Sequence, residues 1–201
     1  MSESIVRAAL RLHAMSSVAG AEGTLDELWV PRSNERADIA VIGRWMDGFE
    51  IKTERDTLKR LPRQMVAYGR LFDRCTAVLY ERHRPKAETI LPEWWGITTV
   101  TVDDAVTFTV VRKASSNPSV DPEILVRLLW RDEAFDALVA IGRAPDVRTT
   151  RSRLWADLLR FASLTQLRAV VRDALLSRTA DQAKIPTRRF GTKPAALPVA
   201  L

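Results

Sequence analysis

Cysteine and histidine are almost missing from this 201-residue chain, which has one cysteine, Cys75, and two histidines, His13 and His83. A lone cysteine excludes a disulfide framework and any site built from cysteine pairs. Two histidines so far apart exclude zinc fingers and zinc hydrolases with paired histidine ligands. The few glycines never fall into GxGxxG or GxxxxGK[ST] spacing, so the glycine loops that cradle nucleotide phosphates are excluded too. No apolar run approaches the ~18 residues of a membrane span. The segment MSESIVRAALRLH has no apolar stretch followed by a small-residue cleavage site. No membrane partner and no secretory signal are expected, and the expected location is cytoplasmic. Chemistry in this chain has to rest on carboxylates, Lys, Arg, Ser or Tyr.

The chain is 46% hydrophobic and 28% charged, an ordinary globular balance for one domain with an appendage. Its net charge of +6 is unevenly spread. Residues 1–120 carry 17 Lys and Arg against 16 Asp and Glu, whereas residues 143–201 carry 12 against 4. A basic last third suits a polyanion, with DNA the expected partner and RNA an alternative. Arg148, Arg151, Arg153, Arg188 and Arg189 are the candidate phosphate contacts there. The plainer alternative is a solvated helical surface ending in a basic tail.

Periodicity divides the chain. Residues 4–16 read as an amphipathic helix with Ile5, Leu12 and Met15 on its apolar side. Strands follow at 25–30, 37–43 and 46–52. A helix over 59–72 carries Leu58, Leu61, Met65, Tyr68 and Phe72 as one stripe, with Pro62 in its first turn. A buried-type strand at 76–81 then implies a parallel crossover. WWGITTVTV and AVTFTVVRK supply two more strands, and SSNPSVDP is a boundary. Beyond it lie helices at 123–141, 150–163 and 164–177. The expected class is α/β: a core over 1–114 with a mixed sheet of five or six strands flanked by helices, a linker at 115–122, and an α-helical C-terminal extension over 123–178. A basic, proline-containing tail over 179–201 completes the chain.

The segment ADIAVIGRWMDGFEIKTERD carries the chemistry. On one strand Glu50 and Lys52 share a face, with the Ile51 carbonyl between them. Antiparallel pairing through a Gly43-Arg44-Trp45 turn puts Asp38 directly across from Glu50, Cβ atoms about 4.5–5.5 Å apart. Two facing carboxylates and a carbonyl are hard oxygen ligands suited to Mg²⁺ or Mn²⁺. Lys52 beside such a cation would orient a water and offset phosphate charge. An Asp47-Gly48 hairpin is the competing register, and it would separate Asp38 from Glu50 and leave only solvated ion pairs.

The run from Asp38 through Glu50-Ile51-Lys52, then a helix with Gln64 four residues before Tyr68, resembles the PD-(D/E)XK nuclease superfamily. The stretch GFEIKTERDTLKRLPRQMVAY, with LPEWWGI and the LLWRDEA helix, resembles a bacterial subfamily of it across most of residues 25–178. The resemblance implies a restriction-endonuclease-like core and metal-dependent hydrolysis of phosphodiester bonds, with Asp38, Glu50 and the Ile51 carbonyl as metal ligands and Lys52 at the attacking water. Glu27 matches the family's first acidic position, although Asp26 and Glu35 compete for it. Gln64 matches a position that touches the scissile phosphate or the water. The family's proline before Asp38 is Ala37 here.

Arg60 lies one turn before Gln64 as a candidate phosphate contact, and Arg36 is a candidate contact with a phosphate or carboxylate. Trp94 and Trp95 read as core and hinge packing, Cys75 as a small core residue and His83 as a surface residue. Two other functions remain open: a nucleic-acid-binding subunit without turnover, and an interaction or homo-oligomeric protein using Trp130 and Trp155.

Overall fold

Helix α1 (Glu3–Ser17) leads into an antiparallel meander of β1 (Ala21–Trp29), β2 (Arg36–Gly43) and β3 (Met46–Lys52). The computed structural model describes residues 3–184. After β3, helix α2 (Leu61–Gly69) crosses to β4 (Arg74–Tyr80), and α3 (Arg84–Ile90) crosses to β5 (Gly96–Val102), so β3, β4 and β5 run parallel. Strand β6 (Val106–Arg112) returns antiparallel to β5. The six strands of this mixed sheet lie side by side in chain order. Helices α4 (Pro122–Leu125), α5 (Arg131–Ala140), α6 (Arg151–Phe161) and α7 (Leu164–Lys184) form the C-terminal extension.

Alternation along the strands builds two cores. Ile39, Val41, Phe49, Ile51, Val78 and Val100 face α1, which buries Val6, Leu10 and Ala14 against them. Ala40, Ile42, Met46, Ala77 and Leu79 belong to the larger core shared with α2 and with Leu167, Val171 and Leu175 of α7. Tyr68, Phe72 and Trp95 are its large buried rings, and Tyr68 stacks on Trp95 at 5.9 Å between centroids. Cys75 is buried in the same core.

Several local expectations are corrected. The row of α1 that meets the sheet is Val6, Leu10 and Ala14; Ile5, Leu12 and Met15 are exposed. The small Ala14 lets the helix approach, and size alone misdirects the choice of face. The helix expected at 59–72 is a 3₁₀ turn (Leu58–Arg60) followed by α2. The one expected at 123–141 breaks after α4 into another 3₁₀ turn (Val126–Leu128) before α5. Helix α7 continues to Lys184, so the expected start of the tail at 179 falls inside a helix. His83 is buried rather than exposed, its Nε2 lying 2.9 Å from the Thr53 carbonyl oxygen.

Candidate functional site

The register of the meander places the chemistry. Strand β2 pairs with β3 as Ile39↔Phe49, Ala40↔Gly48, Val41↔Asp47 and Ile42↔Met46. Gly43, Arg44 and Trp45 form the connecting turn, and the next position sets Asp38 across from Glu50. The competing Asp47-Gly48 hairpin is absent, because both residues sit within the ladder. Strand β1 pairs Asp26↔Ile39 and Leu28↔Ala37, so Glu27 lies across from Asp38 on the other side. Three carboxylates therefore cross three adjacent strands in one row. The row ends near the carboxyl end of β3, the first of the three parallel strands, and open α/β sheets bind ligands at the carboxyl ends of such strands.

Backbone geometry at the row departs from a plain ladder. Glu27 adopts a φ of 51°, a left-handed conformation that costs a residue bearing a side chain about 1–2 kcal/mol. Where β2 leaves β3, the Asp38 side chain replaces the missing strand partner: its Oδ2 accepts the Ile51 N–H at 2.7 Å. A strand residue's N–H and C=O project to the same edge, so the Ile51 carbonyl also faces the Asp38 side.

Each carboxylate has a cationic or hydroxyl partner. The Arg7 guanidinium of α1 donates to Asp38 Oδ1 at 2.9 Å and also to Glu27 and Glu3. Glu50, only 2% exposed, accepts from Lys52 Nζ and from the Tyr68 hydroxyl. That hydroxyl also lies 2.6 Å from the Arg36 carbonyl oxygen. Burial, reinforced by the facing Glu50 charge, raises the Asp38 carboxyl to about 7, against the Ile51 N–H and Arg7, which lower it. Burial and Glu50 hold the Tyr68 hydroxyl far above its ordinary range, so it acts as a neutral donor. Gln64, one turn before Tyr68 and 3% exposed, keeps a buried Oε1 without a hydrogen-bond partner among the described residues.

The competitors for the Glu27 position are placed elsewhere. Asp26 pairs with Arg11, and buried Glu35 is held by Arg60 at 2.8 Å and Arg63 at 3.4 Å. Arg36 reaches Glu27 at 3.4 Å and lies over Trp29. The structure thus gathers Glu27, Asp38, Glu50, Ile51, Lys52 and Arg36, with Gln64 and Arg60 on the flanking helix and turn. It does not bring Arg148, Arg151 and Arg153 to this row. Arg151 stacks over Trp155 at 4.8 Å, Arg153 pairs with Asp157 at 3.2 Å, and Arg148 is exposed before α6. Arg188 and Arg189 lie outside the described residues. Arg7 was missed in the sequence reading; its one signal was a Glu3–Arg7 spacing of four on a helix.

The family model for bacteriophage P4 protein cII matches residues 3–194. The chain belongs to that family. No curated protein matches it. Among solved structures, a Silicibacter pomeroyi protein of unknown function is similar at 16% identity and a TM-score of 0.39, covering 92% of this chain and 94% of that one.

In this cII-family chain the donor chemistry at the row fits a hard divalent cation. Asp38 and Glu50 face one another closely enough that one charge raises the pKa of the other, and the Ile51 carbonyl lies on their side. Among the described residues, no cluster of three or more His, Cys, Asp or Glu is gathered to hold a metal. Two carboxylates and one carbonyl would then be the donors a cation finds here, with water completing the shell as Mg²⁺ prefers. Among the described residues of the cII-family protein, no helix is long and apolar enough to cross a membrane.

Proposed function

We propose that this protein is a divalent-metal-dependent nuclease that hydrolyses phosphodiester bonds, with DNA as its substrate. The observation that carries the reading is the row of Glu27, Asp38 and Glu50 across three neighbouring strands, with Lys52 bonded to Glu50 at its edge. Its order, an acidic residue on β1, Asp on β2, Glu-x-Lys on β3 and Gln then Tyr on the crossover helix, supports the resemblance to PD-(D/E)XK nucleases.

Asp38, Glu50 and the Ile51 carbonyl would hold Mg²⁺ or Mn²⁺, which when bound supplies Lewis-acid charge and acidifies a water. The remaining work belongs to the chain. Lys52, 7% exposed and oriented by Glu50, directs its ammonium hydrogens at the attacking water and offsets charge gathering on the phosphate. Gln64 offers that water a buried acceptor that no described residue engages. Tyr68 fixes Glu50 from the helix side. Arg7 and Arg36 present guanidinium groups on the Glu27 side for a phosphate oxygen.

One observation favours a second reading: Arg7 bridges Glu27 and Asp38 as a structural ion pair would. In that reading the chain is a nucleic-acid-binding or protein-interaction subunit without turnover. Circular and linear DNA incubated with Mg²⁺, Mn²⁺ or EDTA decides between them, with Lys52→Ala and Glu50→Gln as controls. We expect metal-dependent cleavage, calorimetric Mn²⁺ binding that survives Lys52→Ala, and a rate lowered on the order of 10²–10³-fold by that change. Cleavage indifferent to both substitutions, or no cleavage with either metal, overturns the nuclease reading.

A further inference from the structure

A cavity of about 310 Å³ lies between the first turns of α7 and the β2–β3 turn. Along β2 this is the end away from Asp38, about 16 Å distant at the ordinary rise of a strand. Three guanidinium groups line it: Arg44 from the turn, and Arg168 and Arg172 one helical turn apart on α7. Trp45, Leu71 and Leu125 supply a ring and an apolar wall.

The cations are held in a way that leaves donors free. Asp73, 8% exposed, accepts the Met46 N–H at 3.0 Å on one oxygen and faces Arg168 Nε at 2.9 Å with the other. Arg168 is thereby anchored through its inner nitrogen, and neither that Nε nor Asp73 Oδ1 completes a hydrogen bond among the described residues. Arg44 pairs with no carboxylate among the described residues; its guanidinium lies 5.6 Å above the Trp45 ring. Among the described residues Arg172 pairs only with its exposed neighbour Asp173, at 2.9 Å. Among the described residues Asp73 is the one carboxylate lining a cavity with three guanidinium groups, so the cavity favours a ligand that brings negative charge. The planar fork of arginine matches phosphate oxygens, and an indole beside an apolar wall suits a stacked base.

We propose that this cavity is a nucleotide-binding site, taking the phosphate between Arg44, Arg168 and Arg172 and the nucleoside against Trp45 and the Leu71–Leu125 wall. It does not depend on the carboxylate row, and it holds whether or not that row cleaves DNA. The same chemistry is offered by a free nucleotide and by the 5′-phosphorylated end of a DNA strand.

Calorimetry and tryptophan fluorescence with deoxyadenosine 5′-monophosphate, deoxyadenosine and inorganic phosphate test the proposal. A second arm compares 5′-phosphorylated and 5′-hydroxyl oligonucleotides of one sequence. The monophosphate should bind saturably below about 1 mM. Arg44→Ala, at an exposed position, and Arg172→Ala, at a half-buried one, should each weaken it about tenfold with unchanged thermal melts. Deoxyadenosine and inorganic phosphate should each bind at least about tenfold more weakly. A preference for the 5′-phosphorylated oligonucleotide that is lost in both variants assigns the site to a DNA end; monophosphate binding without that preference assigns it to a free nucleotide. Inorganic phosphate binding as tightly as the monophosphate, no saturable binding, or binding indifferent to both arginines overturns the proposal.

Discussion

At Asp38, opposite demands meet on one carboxyl. Burial and the facing Glu50 raise its pKa from 3.8 to about 7, while the Ile51 N–H and Arg7 favour the charge. Between these two values the folded chain keeps a proton that the unfolded chain has released, so this residue's contribution to stability falls as pH rises through that window. Above it both states are ionised and the penalty is constant. Asp38→Asn keeps an acceptor for Ile51 and removes the titration. In EDTA, the melting temperature of Asp38→Asn minus that of the unaltered protein should rise from about pH 4 to about pH 7 and then level off. A difference that falls over this range would show that the charge at Asp38 is stabilising. Arg7 teaches the complementary lesson, because its immediate neighbours in sequence are apolar and two of its three carboxylate partners, Glu27 and Asp38, come from β1 and β2.

Among the elements, the β2–β3 turn decides most. Its three-residue length sets the register that brings Asp38 to Glu50, and it also forms one wall of the arginine-lined cavity. Gly43 makes that turn possible: a Cβ there would sit 1.9 Å from the Gly20 carbonyl oxygen, a backbone atom with little room to yield. Gly43→Ala should therefore cost about 3 kcal/mol and lower the melting temperature by several degrees. Gly69→Ala is the internal comparison, since a Cβ in this helix would meet Trp94 at an ordinary 3.5 Å. It should be neutral or stabilising by up to about 1 kcal/mol. Equal melts for the two variants would mean that the turn relaxes around the methyl group and does not hold the register rigidly.

For the molecule as a whole, charge is separated from the carboxylate row. The basic excess lies in the last third of the chain, while Arg148, Arg151 and Arg153 are mounted around α6. If these three each neutralise a phosphate, replacing all of them with Ala should flatten the plot of log affinity for duplex DNA against log salt by about 3, nearly one unit per contact. A chain ending at Lys184 would also lose Arg188, Arg189 and Lys193 while leaving α7 intact, and the same reduction is expected. Fluorescence anisotropy at several salt concentrations measures both slopes. Unchanged slopes would move the phosphate contacts away from this region.

Local pattern was enough for the mixed sheet, the parallel crossover, and the meeting of Asp38 and Glu50 with Lys52 beside them. Each follows from strand alternation, turn length or helical spacing, which act over a few residues. The left-handed Glu27, the Arg7 bridge, the burial of His83 and the cavity under α7 were decided only when elements packed. Arg7 meets Asp38 across 31 positions of chain, and Arg168 meets Asp73 across a longer span. Such pairs depend on how helices pack against the sheet, and no periodicity within a single segment encodes that.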